Sequence, residues 1–98
     1  MLFCTASVDE SEKLAKVLVE ERLAACVNIA NVASYYRWEG EFCEDKEALL
    51  IIKTEKSRVD EIIERTKELH SYELPEIIAL PIVAGYDKYL EWVDESVE

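Results

Sequence analysis

Between residues 26 and 54 the chain carries two long β-prone segments joined by one short turn. Cys26 to Trp38 is rich in Val, Ile, Tyr and Ala, with Val27, Ile29 and Tyr35 bracketing the polar Asn28 and Asn31. Phe42 to Thr54 is the second segment and ends in the apolar run Ala48-Leu49-Leu50-Ile51-Ile52. Glu39-Gly40-Glu41 supplies the turn, with Gly40 free to take a positive φ. Strands of ~13 residues reach about 43 Å at ~3.3 Å per residue. That is twice the ~17–20 Å of an ordinary strand. An apolar run without polar interruption reads as a strand covered on both faces. The hairpin tip must project into water or pair with something, and exposing Tyr35, Tyr36, Trp38 and Phe42 is costly. Both features point to homo-oligomerisation through sheet faces and overhanging strands. The alternative is a bulge that bends the hairpin over its own core.

The remaining elements fall around this hairpin. Leu2 to Thr5 reads as a short strand. Ser7-Val8-Asp9-Glu10 matches a capping box, and Leu14, Val17 and Leu18 continue an apolar stripe, so a helix is predicted from Val8 to Leu23. Ser57-Arg58-Val59-Asp60 starts another, and Val59, Ile62, Ile63, Thr66 and Leu69 carry it to Leu69. Ile77 to Val83 is predicted as a strand placed at an edge by Pro81, which has no N–H to donate. Gly85 breaks the chain, and Asp87 is placed to cap a last helix bearing Tyr89, Leu90, Val93 and Val97. The order strand, helix, strand, strand, helix, strand, helix is the split β-α-β of the ferredoxin-like α+β fold with an added C-terminal helix. Right-handed crossovers put two helices on one face of a four-stranded antiparallel sheet. No linker or internal repeat divides the chain, so residues 1–98 are read as one domain.

Charge narrows the function. Of 98 residues, 22 are acidic and 11 basic, a formal net charge of −11. Nucleic acids and anionic membrane surfaces are bound through Lys and Arg, and this balance opposes both. Cations and basic partner surfaces are the ligands it permits. No run approaches the ~18 apolar residues of a spanning helix. Met1-Leu2-Phe3-Cys4-Thr5 lacks the basic and apolar regions of a signal peptide, so a cytoplasmic location is expected. Cys4, Cys26 and Cys43 are odd in number, widely spaced and without C-x-x-C, which fits reduced thiols better than disulfides or a four-ligand zinc site. His70 is the single histidine, so one chain cannot build a multi-histidine site. Gln is absent and Glu and Lys dominate the polar residues, a composition that leans toward a thermostable protein. No G-x-S-x-G, P-loop, G-x-G-x-x-G or H-E-x-x-H occurs, and no enzyme activity is expected.

An ordered set of segments spans nearly the whole chain. They are Glu21-Arg22-Leu23-Ala24-Ala25-Cys26-Val27-Asn28, Tyr36-Arg37-Trp38-Glu39-Gly40-Glu41, Ile52-Lys53-Thr54, His70-Ser71-Tyr72-Glu73-Leu74-Pro75-Glu76-Ile77, Leu80-Pro81-Ile82 and Tyr89-Leu90-Glu91-Trp92. In these the chain resembles the CutA family of divalent-cation tolerance proteins. The resemblance implies a ferredoxin-like subunit in a tight, intertwined homotrimer, with long hairpins knitting the sheets together. It also implies a role in tolerance of copper and other divalent cations, with no established reaction and no cofactor needed for folding. Two positions depart from the family. His-Pro-Tyr is common where this chain has His70-Ser71-Tyr72, and loss of the Pro is expected to leave that loop less constrained. Some members carry a histidine, proposed as a copper ligand, where this chain has Ala84, so a site built on it does not transfer.

Candidate site residues follow from chemistry and resemblance together. Cys4 stands just before a helix start, where the helix dipole lowers a thiol's pKa, and a thiolate is a soft ligand for copper. The competing reading of Cys4 is a small buried hydrophobe. His70 closes the second helix, where it reads as a cation at a negative helix end, with a ligand role open. Lys53 is read either as facing an inter-subunit cavity, binding an anion, or as a snorkelling or ion-paired strand end. Trp38, Glu39, Lys53, Tyr72, Pro75, Glu76 and Trp92 are the candidates for a ligand or interface cleft, and the aromatic members suit interface anchors equally. Glu41, Glu44, Asp45 and Glu47 read as a solvated acidic face, although Asp45 and Glu47 share a strand face and could chelate a hard cation weakly. The function expected is trimeric, non-catalytic binding of, or response to, divalent metal ions. The alternative is a trimeric signalling or scaffold module that takes a small anionic ligand or a protein partner in the cleft.

Overall fold

A computed structural model describes residues 1–98. The elements run β1 (Leu2–Ala6), α1 (Val8–Glu20), β2 (Cys26–Trp38), β3 (Glu41–Lys53), α2 (Val59–Leu69), β4 (Ile77–Ala79) and α3 (Asp87–Ser96), with a 3-10 turn at Lys56–Arg58 leading into α2. The four strands form one antiparallel sheet in the order β2-β3-β1-β4. This is the ferredoxin-like arrangement that the element order predicts.

Side-chain alternation decides where the core sits. Leu2, Cys4 and Ala6 of β1 lie opposite Ile52, Leu50 and Ala48 of β3, and all six are fully buried. Leu14 and Leu18 of α1 and Ile62 of α2 close over this face. The intervening residues, Phe3 and Leu49 and Ile51, point to the other side of the sheet with Ile78 of β4. Phe3, Leu49 and Ile51 are partly buried on that second face, and Ile78 is half exposed.

Two elements end sooner than predicted. α1 stops at Glu20 rather than Leu23 because Arg22 turns left-handed at φ 60°. The N–H groups of Leu23 and Ala24 both donate back to the Leu18 carbonyl at 3.0 Å, which closes the helix and tucks those two residues into the core. β4 covers only Ile77–Ala79, not Ile77–Val83. The Leu80 N–H still reaches the Met1 carbonyl at 2.7 Å, but Pro81 has no donor to continue the ladder. Residues 81–86 then run exposed, with Val83 92% accessible. Asp87 is the first residue of α3 rather than its cap, and Tyr86 precedes it with no capping side chain. Arg58 anchors the far end of that helix by donating Nε and Nη2 to the Val97 carbonyl at 2.8 and 2.6 Å.

The hairpin has the predicted length. Pairing runs without a break from Cys26↔Lys53 to Trp38↔Glu41, so no bulge bends it over the core. The molecule's longest dimension, 45 Å, matches the predicted strand reach. β1 pairs only as far as Ala6↔Ala48, so the hairpin beyond Glu47 extends past the rest of the sheet. Its turn places two successive residues at positive φ, Glu39 at 51° and Gly40 at 79°.

Candidate functional site

The junction between helix ends and hairpin is built by hydrogen bonds from three residues. Ser7 caps α1, its hydroxyl accepting the Glu10 N–H at 3.3 Å. Glu10 does not complete a capping box back to the Ser7 backbone. Its carboxylate instead accepts from the Ser71 N–H at 2.9 Å and the Ser71 hydroxyl at 2.7 Å, with the Ser7 hydroxyl at 3.1 Å. The Ser71 hydroxyl, first among these donors, holds the Glu10 carboxyl below its ordinary pKa. Position 71 is therefore fixed to α1 by an N–H that proline lacks, and the expectation of a looser loop is corrected.

His70 sits directly behind this clasp. Its Nδ1 lies 3.1 Å from the Tyr72 N–H, and Nε2 lies 2.7 Å from the Thr5 carbonyl. His70 stands at the C-terminal end of α2, as expected, and both ring nitrogens have partners. Tyr72 packs edge-on against the His70 ring at 4.5 Å and donates its hydroxyl to Glu47 at 3.0 Å. Burial, then that hydrogen bond, push the Tyr72 phenol up to about 12. Glu47 is only 7% exposed, so the acidic run is not uniformly solvated as its composition suggests. Asp45 lies two residues further along the same strand face and accepts from the Tyr36 hydroxyl. That bond raises the Tyr36 phenol to about 12 as well.

The hairpin overhang, the start of α1 and the 72–76 loop together border an open cleft of about 870 Å³. Of the seven residues proposed for a ligand or interface cleft, Trp38, Tyr72 and Glu76 line it. Glu39, Pro75 and Trp92 do not; Glu39 forms the turn, and Trp92 leans on Tyr89 in α3 at 5.6 Å between ring centres. Lys53 stands at the opposite end of β3 and donates to Asn28. Six residues separate it from Glu47, about 20 Å of strand.

Cys4 is fully buried in the helix-covered core. Its thiol is pushed up to about 12, first by burial and then by the negative charges of Glu76 and Glu47. The lowering expected from the helix start is thus corrected, because loss of water outweighs the helix dipole at this depth. No three His, Cys, Asp or Glu side chains of the chain stand close enough to hold one metal ion between them. No helix is long and apolar enough to cross a membrane.

Comparison with known proteins gives a consistent result. Residues 1–96 match the family model described as CutA1 divalent ion tolerance protein. The divalent-cation tolerance protein CutA of Thermus thermophilus is 48% identical over 97 residues, 98% of this chain and 94% of that protein. The solved structure of the periplasmic divalent cation tolerance protein CutA of Archaeoglobus fulgidus is similar at TM-score 0.96 and 42% identity, covering 99% of this chain and 96% of that one. The apo structure of a PII-like protein CutA from a Nostoc species is similar at TM-score 0.95 and 32% identity, covering 99% and 95%.

Proposed function

Because the chain belongs to the CutA1 family of divalent ion tolerance proteins, we propose that it serves that role as a homotrimer that binds or responds to copper and other divalent metal ions without catalysing a reaction. The observation that carries the assembly is the uncovered apolar surface. Ile78 is exposed on the sheet face that also carries the partly buried Phe3, Leu49 and Ile51, and the 81–86 segment and hairpin tip add the exposed Ile82, Val83, Tyr35 and Phe42. A single soluble chain rarely leaves so much contiguous apolar surface in water. Further copies of the same chain are the economical cover.

The assembly also bears on the metal. With no three donors converging inside one chain, an ion held by several ligands draws them from more than one copy. Cys4 is the soft donor proposed; burial first, and then the Glu76 and Glu47 charges, keep its thiol protonated, so a cation reaching it would have to open the core around it and displace that proton. Three free thiols suit a reducing compartment, so the cytoplasm is the proposed location, unlike that named for the Archaeoglobus protein. The test is calorimetric titration of copper into reduced, metal-free protein, in parallel with Cys4→Ser. A saturable site lost in the variant is the expected result. Weak binding unchanged by the variant would assign copper to the acidic surface and overturn direct binding.

One observation favours a second reading, a trimeric signalling or scaffold module: the cavity beside Tyr72 is large enough for a small molecule. Metal effects would then be indirect. The anionic ligand expected for it fits poorly, since Lys53 is remote and Asp45, Glu47, Glu73 and Glu76 line the cavity.

A further inference from the structure

We infer that the loop from Ser71 to Glu76 is a hinged flap and that Glu10 is its latch, keeping Tyr72 over Glu47 from a position on α1. This rests on neither the metal reading nor the assembly, each of which has its own test. Glu10 uses both carboxylate oxygens. One accepts the Ser71 N–H at 2.9 Å, and the other accepts the Ser71 hydroxyl at 2.7 Å and the Ser7 hydroxyl at 3.1 Å. Three residues after Ser7, this glutamate stands where a capping box would turn it back to the Ser7 N–H. It reaches instead across 61 positions to the far side of α2.

Beyond Ser71 the chain is held lightly. The Tyr72 N–H meets His70 Nδ1 at 3.1 Å, and the Tyr72 hydroxyl donates to Glu47 at 3.0 Å. No backbone hydrogen bond holds residues 73–76, and pairing resumes only where Ile77 faces Cys4. Leu74 is 70% exposed. Such a segment opens without disturbing the elements on either side of it, because few contacts must break.

Ser71 decides where Tyr72 points, since it is the one residue between the end of α2 and that ring. Glu10 grips it at two points, the N–H and the hydroxyl, and so fixes its orientation as well as its place. Hydrogen bonds to an ionised carboxylate are also about twice as strong as neutral ones. Both contacts of Tyr72 lie downstream of that grip. The Ser71 hydroxyl, first among its causes, holds the Glu10 carboxyl below its ordinary value, so the latch is shut at neutral pH. Acid strong enough to discharge Glu10 would discharge other carboxylates as well, which makes substitution the cleaner probe.

Hydrogen exchange of the intact protein at neutral pH, followed amide by amide by NMR, tests the latch. In Glu10→Ala we expect the Ser71 and Tyr72 amides to lose protection about tenfold or more, while those of Ile62 in α2 and Leu50 in β3 keep theirs. The Tyr72 ring protons should shift at the same time, as the edge-on contact with His70 is lost. Tyr72→Phe removes the bond to Glu47 but spares the latch, so the Ser71 amide should stay protected in that variant. An unchanged Tyr72 amide in Glu10→Ala overturns the assignment, because His70 and Glu47 would then hold the loop unaided. Equal loss at Ser71 in Tyr72→Phe also overturns it, by making Tyr72 the latch. A loss shared by Ile62 and Leu50 overturns it as well, since Glu10 would then support the fold as a whole.

Discussion

A thiol at the end of β1 meets two opposing influences. The start of α1 stabilises a thiolate, while burial among leucines and two nearby carboxylates stabilise the thiol. Burial prevails at Cys4, and the consequence is a pH dependence with a definite sign. Unfolded, the thiol ionises near its ordinary value of 9.0; folded, it holds its proton to about 12. Stability from this group is therefore intact below about pH 9 and is lost as pH rises from there toward 12. Urea unfolding at about pH 8 and about pH 10.5 should show wild type losing about 1–2 kcal/mol more than Cys4→Ala over that interval. Equal losses would mean that the thiol ionises as freely in the fold as out of it. Residue types alone conceal this kind of outcome. Cys4 and His70 have the right chemistry for ligands, but which nitrogen of His70 is engaged depends on the Tyr72 backbone and the Thr5 carbonyl. Ser71 is equally opaque: its worth lies in an N–H aimed at Glu10, 61 positions earlier.

At the scale of elements, the hairpin was the most legible part of the chain. β2 runs from Cys26 to Trp38 as expected, and β3 is displaced by one residue from the predicted Phe42–Thr54. β-branched and aromatic residues with one glycine between them leave little choice of register. Element ends were less legible because they depend on backbone geometry that residue patterns do not carry. Arg22 ends α1 in a left-handed conformation that glycine usually takes, so the pattern alone continues the helix. Glu39 is another such residue. With Gly40 it adopts consecutive positive φ values, the geometry of a type I′ turn, in which Asn-Gly is preferred. Glu39→Asn should therefore stabilise the fold by about 0.5–1 kcal/mol, read as a raised melting temperature at fixed protein concentration. A lowered melting temperature would show that the glutamate side chain makes a contact at the tip worth more than its strain.

At the scale of the whole molecule, fold class was legible. Element order gave the sheet, and the double-sided apolar run from Ala48 to Ile52 indicated a face that two helices leave bare. The cavity was legible only in part. Trp38, Tyr72 and Glu76 come from segments that resemble the family, but Glu47 lies inside an ordinary acidic run whose pattern gives no sign of its burial or of its bond from Tyr72. Ile78 and the 81–86 segment are exposed in the single chain, and a homotrimer is the cover proposed. Light scattering on micromolar protein in chelator and reductant measures this directly. The account predicts a mass three times that of the 11.3 kDa chain. A species of 11.3 kDa under those conditions would contradict it.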